Sequence, residues 1–312
     1  MVARLFDSYL LRRLLGTVPT LLVLVTIAFF LVRFAPGGPF DYERALPPEI
    51  EANLLAQYHL DEPLWKQYFR YLGDLLQGDL GPSFQYRDYR VSELIAAGLP
   101  VSMLLGGLSV LLALVLGVLA GMVAGLKQGR AADNTVMALA MTGISIPNFV
   151  LAPVLVLLLA VWLGWLPAGG WNGGAPANLV MPVIALALPQ LAYIARLTRS
   201  SLLDVMSSDF IRTARAKGLP DSVILRRHAL KPVLLPVISY LGPAAAAVMT
   251  GSVVIEQIFG IPGVGRFFVH GALNRDYTLV LGVVIFYGLI VVLFNLLVDL
   301  CYAWLDPRVR LR

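Results

Sequence analysis

Five long stretches of this sequence contain no charged residue: Leu14–Val32, Leu94–Leu126, Asn134–Ala195, Pro232–Ile255 and Tyr277–Val298. A helix needs roughly 20 predominantly apolar residues to cross the hydrocarbon core of a bilayer. Each stretch is long enough to span, and the 62-residue run from Asn134 to Ala195 must fold back once. Its interior, GWLPAGGWNGGAPAN over Gly164–Asn178, is turn chemistry, with Trp162, Trp165 and Trp171 placed as aromatic residues are at a membrane–water interface. Six spanning helices follow. The runs are continuously apolar, whereas the strands of a membrane barrel alternate over about ten residues, so the expected fold is an all-α polytopic membrane protein. A composition of 58% hydrophobic and 14% charged residues, with a mean hydropathy of +0.78, excludes an ordinary soluble domain of this size.

Basic residues set the expected orientation. Arg4, Arg12 and Arg13 precede span one, Lys127 and Arg130 lie between spans two and three, and Arg308, Arg310 and Arg312 end the chain. Between spans four and five come Arg196, Arg199, Arg212, Arg215, Lys217, Arg226, Arg227 and Lys231 against Asp204, Asp209 and Asp221. With an even number of spans all of these fall on one side. By the positive-inside rule that side, with both termini, is cytoplasmic. The net charge of +5 then needs no nucleic-acid partner. The first helix carries no small-residue cleavage site and is expected to be retained.

The sequence divides into residues 1–33, an N-terminal tail and first span; residues 34–93, an acid-rich external region of amphipathic helices; and residues 94–312, the remaining spans with their loops. In the external region Pro47-Pro48-Glu49 starts one short helix, and PLWKQYFRYLGDLL forms another with Leu64, Trp65, Tyr68, Phe69, Leu72, Leu75 and Leu76 on one face. This region is either a cap on the spans or a docking surface. In span two, Gly106, Gly107, Gly117, Gly121 and Gly125 predict close helix packing. Span three carries Thr142, Ser145, Pro147, Asn148 and Pro153, whose polar groups either repair the helix around its prolines or line a water-filled path.

The most basic connection, near residues 208–231, follows Leu203, Met206, Phe210 and Ala214 at helical spacing. Gly218 falls where a helix begun near Asp209 should end, Pro220 follows, and Asp221 is placed to cap the next helix. The expected shape is a short helix, a tight corner and a return helix into span five. A helix lying on the lipid surface would share the basic amphipathic pattern but not the corner.

This loop resembles the coupling loop of ABC-importer membrane subunits, whose pattern is Glu-Ala-Ala, three residues, Gly, nine residues, then Ile-x-Leu-Pro. In that register Arg212, Thr213 and Ala214 take the first positions, Gly218 matches, and His228 to Lys231 take the last, with Pro232 displaced by one. RTARAKGLP, RHALKP, GSVVIEQIFGIPGVG, GALNRDY and NLLVDLCYAWLDPR resemble the peptide-transporter branch. LPPEIEANLLAQYHL, GDLGPSFQYRDY, TVMALAMTGISIP and WLPAGGWNGGA resemble the first membrane subunit of oligopeptide importers.

The resemblance implies type I ABC-importer permease architecture in a bacterial inner membrane. It also implies oligopeptide substrates, a second homologous permease, two ATPase subunits that bring ATP and magnesium, and an external peptide-binding protein. Arg212, Thr213, Ala214, Arg215, Lys217, Gly218, Leu219, Asp221, His228 and Leu230 then form the ATPase-coupling loop. Ala214 and Gly218 would allow close approach to the ATPase, and the basic side chains would pair with it. Asn148, Gln190, Tyr193, Glu256, Phe259 and Arg266 are candidates for the translocation path or its gate. The 256–276 loop dips toward that path, contacts the binding protein, or is a plain turn. Asn295 and Asp299, four apart on the last span, suggest a helix-end or inter-subunit contact.

The chain has no G-x-x-x-x-G-K-[ST] phosphate loop, so no nucleotide, cofactor or catalytic site is expected in it, and its energy would come from partners. His59, His228 and His270 fall on separate loops, and Cys301 is the one cysteine, so neither a metal site nor a disulfide is expected within the chain. The rival class, a proton-coupled secondary transporter, needs ionisable groups at mid-membrane depth, and the charge-free runs supply none.

Overall fold

The computed structural model describes residues 2–35, 37–40, 47–86 and 88–305, with backbone alone at 2–14, 51, 251 and 302–305. Pro36, Arg87, Arg308, Arg310 and Arg312 lie outside the described residues. The helices are α1 (Val2–Phe34), α2 (Pro48–Gln57), α3 (Leu64–Leu76), α4 (Val91–Leu126), α5 (Ala131–Ser145), α6 (Asn148–Leu155), α7 (Pro176–Met206), α8 (Asp209–Ala216), α9 (Asp221–Val223), α10 (Leu230–Phe259), α11 (Val264–Leu273) and α12 (Tyr277–Leu305). One isolated antiparallel bridge joins Pro82 to Arg90.

Five helical segments among the described residues are long and apolar enough to span: Leu15–Phe34, Val91–Leu126, Pro176–Met206, Asp221–Phe259 and Tyr277–Cys301. The third of the six expected spans is not one rod. Ala131–Ser145 and Asn148–Trp162 meet at a bend of 105°. Its cause is local: the ring of Pro147 disfavours the helical region for the residue before it, and Ile146 is extended at φ −89°, ψ 116°. The hydroxyls of Thr142 and Ser145 donate to the carbonyls of Ala138 and Met141 one turn back, so they serve their own helix.

The chain packs as two compact units. The first comprises Val101–Ile261 with residues 1–13 and 290–312. At its centre Leu105, Met181, Leu186, Ile255 and Phe259 are buried together. Of the expected glycine stripe of α4, Gly117, Gly121 and Gly125 lie on α7, while Gly106 lies against Met249 of α10. A Cβ at Gly117 would stand 2.9 Å from the Ile194 side chain, one at Gly121 would collide with the Ala195 carbonyl oxygen, and one at Gly125 would stand 2.7 Å from a Leu202 methyl. Gly107 is outside this seam, with open space around it. In the same unit Gly242 lies against Asn295. The tryptophan-rich connection is pinned at both ends: Asn178 Nδ2 donates to the carbonyls of Gly169 (2.8 Å) and Gly170 (3.1 Å), and Gly170 N–H caps the Phe259 carbonyl at 2.6 Å.

The second unit comprises Leu14–Pro100 and Pro262–Leu289. Val25 and Phe29 of α1, Tyr71 of α3, and Leu281 and Ile285 of α12 form its core, with Tyr68, Leu72 and Leu75 packed against it. The inward stripe of α3 is therefore 68, 71, 72 and 75. Trp65, Phe69 and Leu76, expected on the same face, point outward at 64%, 64% and 89% exposure. Glu62, just before α3, meets Lys66 at 3.0 Å and Arg70 at 2.8 Å, and these cations hold its carboxyl below the ordinary range. Burial pushes the Tyr71 phenol up.

The connection expected to be a loop at 256–276 contains α11 instead. Gly98 makes room for it, since a Cβ there would stand 2.8 Å from the Gly263 backbone. Beyond α11, the buried Asp276 carboxylate accepts from Ser83 Oγ (2.5 Å) and from the backbone N–H groups of Phe84 (3.0 Å) and Gln85 (3.1 Å). Its other oxygen accepts from Thr278 Oγ1 and Leu279 N–H, each at 3.0 Å. One side chain thus caps α12 and fixes the turn before α4. Asp276→Ala removes the acceptor of the Phe84 and Leu279 N–H groups and leaves Gln85 N–H only the Ser83 hydroxyl. It is expected to destabilise the protein by about 2–4 kcal/mol, read as a lowered unfolding midpoint in detergent.

Candidate functional site

The basic connection is a built object. Helix α7 stops at Met206, Ser207 and Ser208 turn the chain, and Asp209 opens α8 as an acid in the first turn, where the helix dipole favours it. This break divides the apolar stripe expected from Leu203 to Ala214. Phe210 is turned out at 48% exposure, while the neighbouring Ile211 is fully buried. Ile211 and Ala214 pack with Ile224 and Ala229, and Val205, Met206 and Leu225 close around them. Ala214 therefore makes its close approach within this chain rather than at the surface.

Helix α8 ends in the conformation only glycine adopts without cost. Gly218 has φ +76°, its N–H donates to Arg215 O at 2.9 Å, and Leu219 N–H reaches back to Ala214 O at 3.3 Å. These two bonds satisfy the last carbonyls of the helix. A Cβ at Gly218 would meet nothing within 4 Å, so glycine is required here by the backbone and not by space. Pro220 is extended and occupies the capping position expected of Asp221, which instead begins α9.

A turn of π-helix over Ile224–Ala229 leads into α10. It lies just before Pro232, whose ring crowds the carbonyl of His228 four residues back. His228 and Leu230 are half-buried in this return.

The outer surface of the corner combines Phe210 and Leu219 with exposed Arg212, Thr213, Arg215, Lys217, Arg226 and Arg227. Arg212 lies 3.3 Å from Asp209, and Arg215 lies 3.5 Å from Asp221. Exposed pairs of this kind contribute about 0–1 kcal/mol, so a partner carboxylate could replace either acid at little cost. Gly218→Ala should cost ~1–2 kcal/mol through the left-handed penalty alone, and Gly218→Val more, because a β-branched side chain tolerates positive φ less well. Faster limited proteolysis at 216–221 is the readout.

Two further side chains tie α7, which leads into this corner, to α5. The Arg199 guanidinium of α7 grips Asp133 of α5 with both arms, Nε to Oδ1 at 2.6 Å and Nη2 to Oδ2 at 2.8 Å, and Gly129 N–H adds a third bond at 3.0 Å. The sequence held the signal: these residues bracket the run that folds back on itself, which brings its ends together. If the pair acts as one fork, Asp133→Asn, Arg199→Gln and the double variant will lower the unfolding midpoint by nearly the same amount. Additive losses would contradict that.

The candidate path residues separate. Asn148 is half-buried at the start of α6, just beyond the 105° break. Gln190 and Tyr193 belong to one cluster: the Tyr193 and Tyr240 rings stack with centroids 4.1 Å apart, and Tyr240 Oη donates to Gln190 Oε1 at 2.7 Å. Glu256 and Phe259 are buried in the first unit. The Glu256 carboxylate accepts from Ser102 Oγ at 2.6 Å, and Phe259 sits in the central core. Neither presents a side chain to an open path. Arg266 is in the second unit, its guanidinium 4.7 Å from the Phe267 ring centroid. Among the described residues no three His, Cys, Asp or Glu gather as metal ligands.

The fold is similar to the inward-facing MetNI methionine ABC transporter, at a TM-score of 0.57 and 20% identity, covering 68% of this chain and 96% of that one. It is also similar to an amino acid ABC transporter, at 0.55 and 17%, covering 68% and 94%. Residues 117–311 match the family described as binding-protein-dependent transport system inner membrane component. The oligopeptide transport system permease protein OppB of Salmonella typhimurium is 56% identical over 303 residues, 97% of this chain and 99% of that protein. The dipeptide transport system permease protein DppB of Bacillus subtilis is 43% identical, covering 97% and 98%. The chain belongs to this family of inner-membrane ABC-importer permeases, in its oligopeptide and dipeptide branch.

Proposed function

We propose that the chain carries oligopeptides, handed over by an external binding protein, across the inner membrane by alternating access. A second homologous permease completes the path, and two ATPase subunits binding ATP and magnesium seize the α8 corner on the cytoplasmic side, where both termini also lie. The observation that carries this proposal is the corner itself. Its small core of Ile211, Ala214, Ile224 and Ala229 and its sealed end at Gly218 let a partner's displacement pass through it undamped. The Asp133–Arg199 fork then hands that displacement from α7 to α5, as in hinge transmission through packed helices. Peptides as cargo are supported by similarity over nearly the whole chain to oligopeptide and dipeptide transport permeases, and a binding protein as their source by the match to the binding-protein-dependent transport family.

Proteoliposomes holding the assembled transporter are expected to take up peptide with ATP and binding protein present, and to fail with a proton gradient alone. Uptake on the gradient alone would replace this mechanism with proton coupling. In the same vesicles Gly218→Val should lower peptide uptake more steeply than ATP hydrolysis.

A further inference from the structure

Helix α7 is half-buried along its apolar window, more than any other single-helix span, yet its remaining open face is polar where a lipid-facing surface would be apolar. On the same unit α4 turns Leu104, Leu111, Val115 and Leu119 outward, as lipid requires. The open face of α7 instead shows Gln190, Tyr193 and Arg196 at helical spacing, and facing α10 shows Ser239, Pro243, Ala247, Thr250, Val254 and Gln257, apolar only toward its C-terminal end at Val254 and Ile258. The Ser239 and Thr250 hydroxyls donate to carbonyls of their own helix, so the polar character of this face lies in Gln190, Tyr193, Arg196 and Gln257. A cation and amides there suit a solvated passage better than acyl chains.

Within that face four side chains are interlocked. Tyr193 of α7 stacks on Tyr240 of α10, at 4.1 Å and an interplanar angle of 25°. Tyr240 Oη donates to Gln190 Oε1, which orients the amide and leaves Nε2 as a donor. The Arg196 guanidinium lies 5.2 Å from the Tyr193 ring centroid and makes no ion pair with any described residue. Its neighbour Arg199, one turn on, is fully engaged by Asp133. A cation held on an aromatic face with its fork open, beside an oriented amide donor, is arranged for a carboxylate.

We infer that Gln190, Tyr193, Arg196 and Tyr240 form a transient binding site for the C-terminal carboxylate of a peptide in transit. The inference rests on the peptide-importer function proposed above. One guanidinium with one amide is a weak clamp, as a passing ligand needs, since a site on a conduction path must release what it binds. The site would favour peptides with a free C-terminus irrespective of side chains.

The test compares uptake of an isotope-labelled tripeptide with that of its C-terminal amide, in vesicles containing the whole transporter and its binding protein. Each variant is expressed relative to wild type for the same peptide, which cancels the binding protein's own preference. Arg196→Gln is expected to lower uptake of the free acid about tenfold and of the amide by less than about twofold, as loss of a charge-assisted bond implies. Arg196→Lys, which keeps the charge without the fork, should fall between. Equal loss for both peptides, or no loss, overturns the site. A loss confined to vesicles containing anionic lipid also overturns it, assigning Arg196 to a headgroup. Should Arg196→Gln fail to assemble, as judged by binding-protein-stimulated ATP hydrolysis, Arg196→Lys and Tyr193→Leu carry the same comparison. Failure of the importer function is distinguishable, because wild-type vesicles would then take up neither peptide with ATP.

Discussion

Every backbone donor and acceptor in a chain this apolar must find a partner inside the protein, because the bilayer core offers no water to take its place. Long helices meet that demand along their length and leave it open at their ends. The decisive side chains of this structure are therefore found at helix ends. Asp276 supplies acceptors to the first turn of α12 and to the turn preceding α4. Asn178 holds the Gly169–Gly170 turn, and the Gly170 amide closes the C-terminal end of α10. The two bonds around Gly218 close α8. Where Pro232 interrupts the ladder the chain widens into a π turn at Ile224–Ala229, and at Pro147 it breaks outright.

The same economy shapes the packing of α4, α5 and α7. With no hydrophobic drive between helices already dissolved in lipid, close approach of small residues and polar ties hold them together. Gly117, Gly121 and Gly125 bring α4 against the backbone of α7, and the Asp133–Arg199 fork fastens α5 to it. The buried face of α7 is thus committed on two sides, and α7 running into α8 and α10 running out of the Ile224–Ala229 turn both join the basic corner to the tyrosine pair.

Much of this was legible in the residues. Charge-free runs marked the spans, the Gly-Pro-Trp cluster marked the fold-back, and Gly218 with Pro220 marked the corner. What escaped depended on direction rather than on type. Helical spacing grouped Phe210 with Ala214, but the break at Ser207–Ser208 rotated α8 so that Ile211 went in and Phe210 came out. On α3 the apolar residues were too many for one face, and only contact with α1 and α12 selected Tyr68, Tyr71, Leu72 and Leu75. Glu256 and Phe259 read as path residues because an acid and a ring end an apolar run. Their burial follows from contacts with Ser102 and the Gly169–Gly170 turn, far away in the sequence. Asp133 was hidden by lying just outside the run whose other end supplies its partner.

The break at Pro147 also bears on how the chain is made. Ala131–Ser145 holds 15 residues, and the bent segment beyond it, Asn148–Trp162, is of like length, each short of the roughly 20 needed to cross the hydrocarbon alone. Neither half is a self-sufficient membrane anchor as it emerges from the ribosome. The pair gains a tie to α7 once Pro176–Met206 has followed it and Arg199 has reached Asp133. The bent segment packs on both α7 and α10, with Leu151 and Ala152 in the core that holds Met181, Ile255 and Phe259, so its place in the bilayer is a property of the bundle rather than of either half.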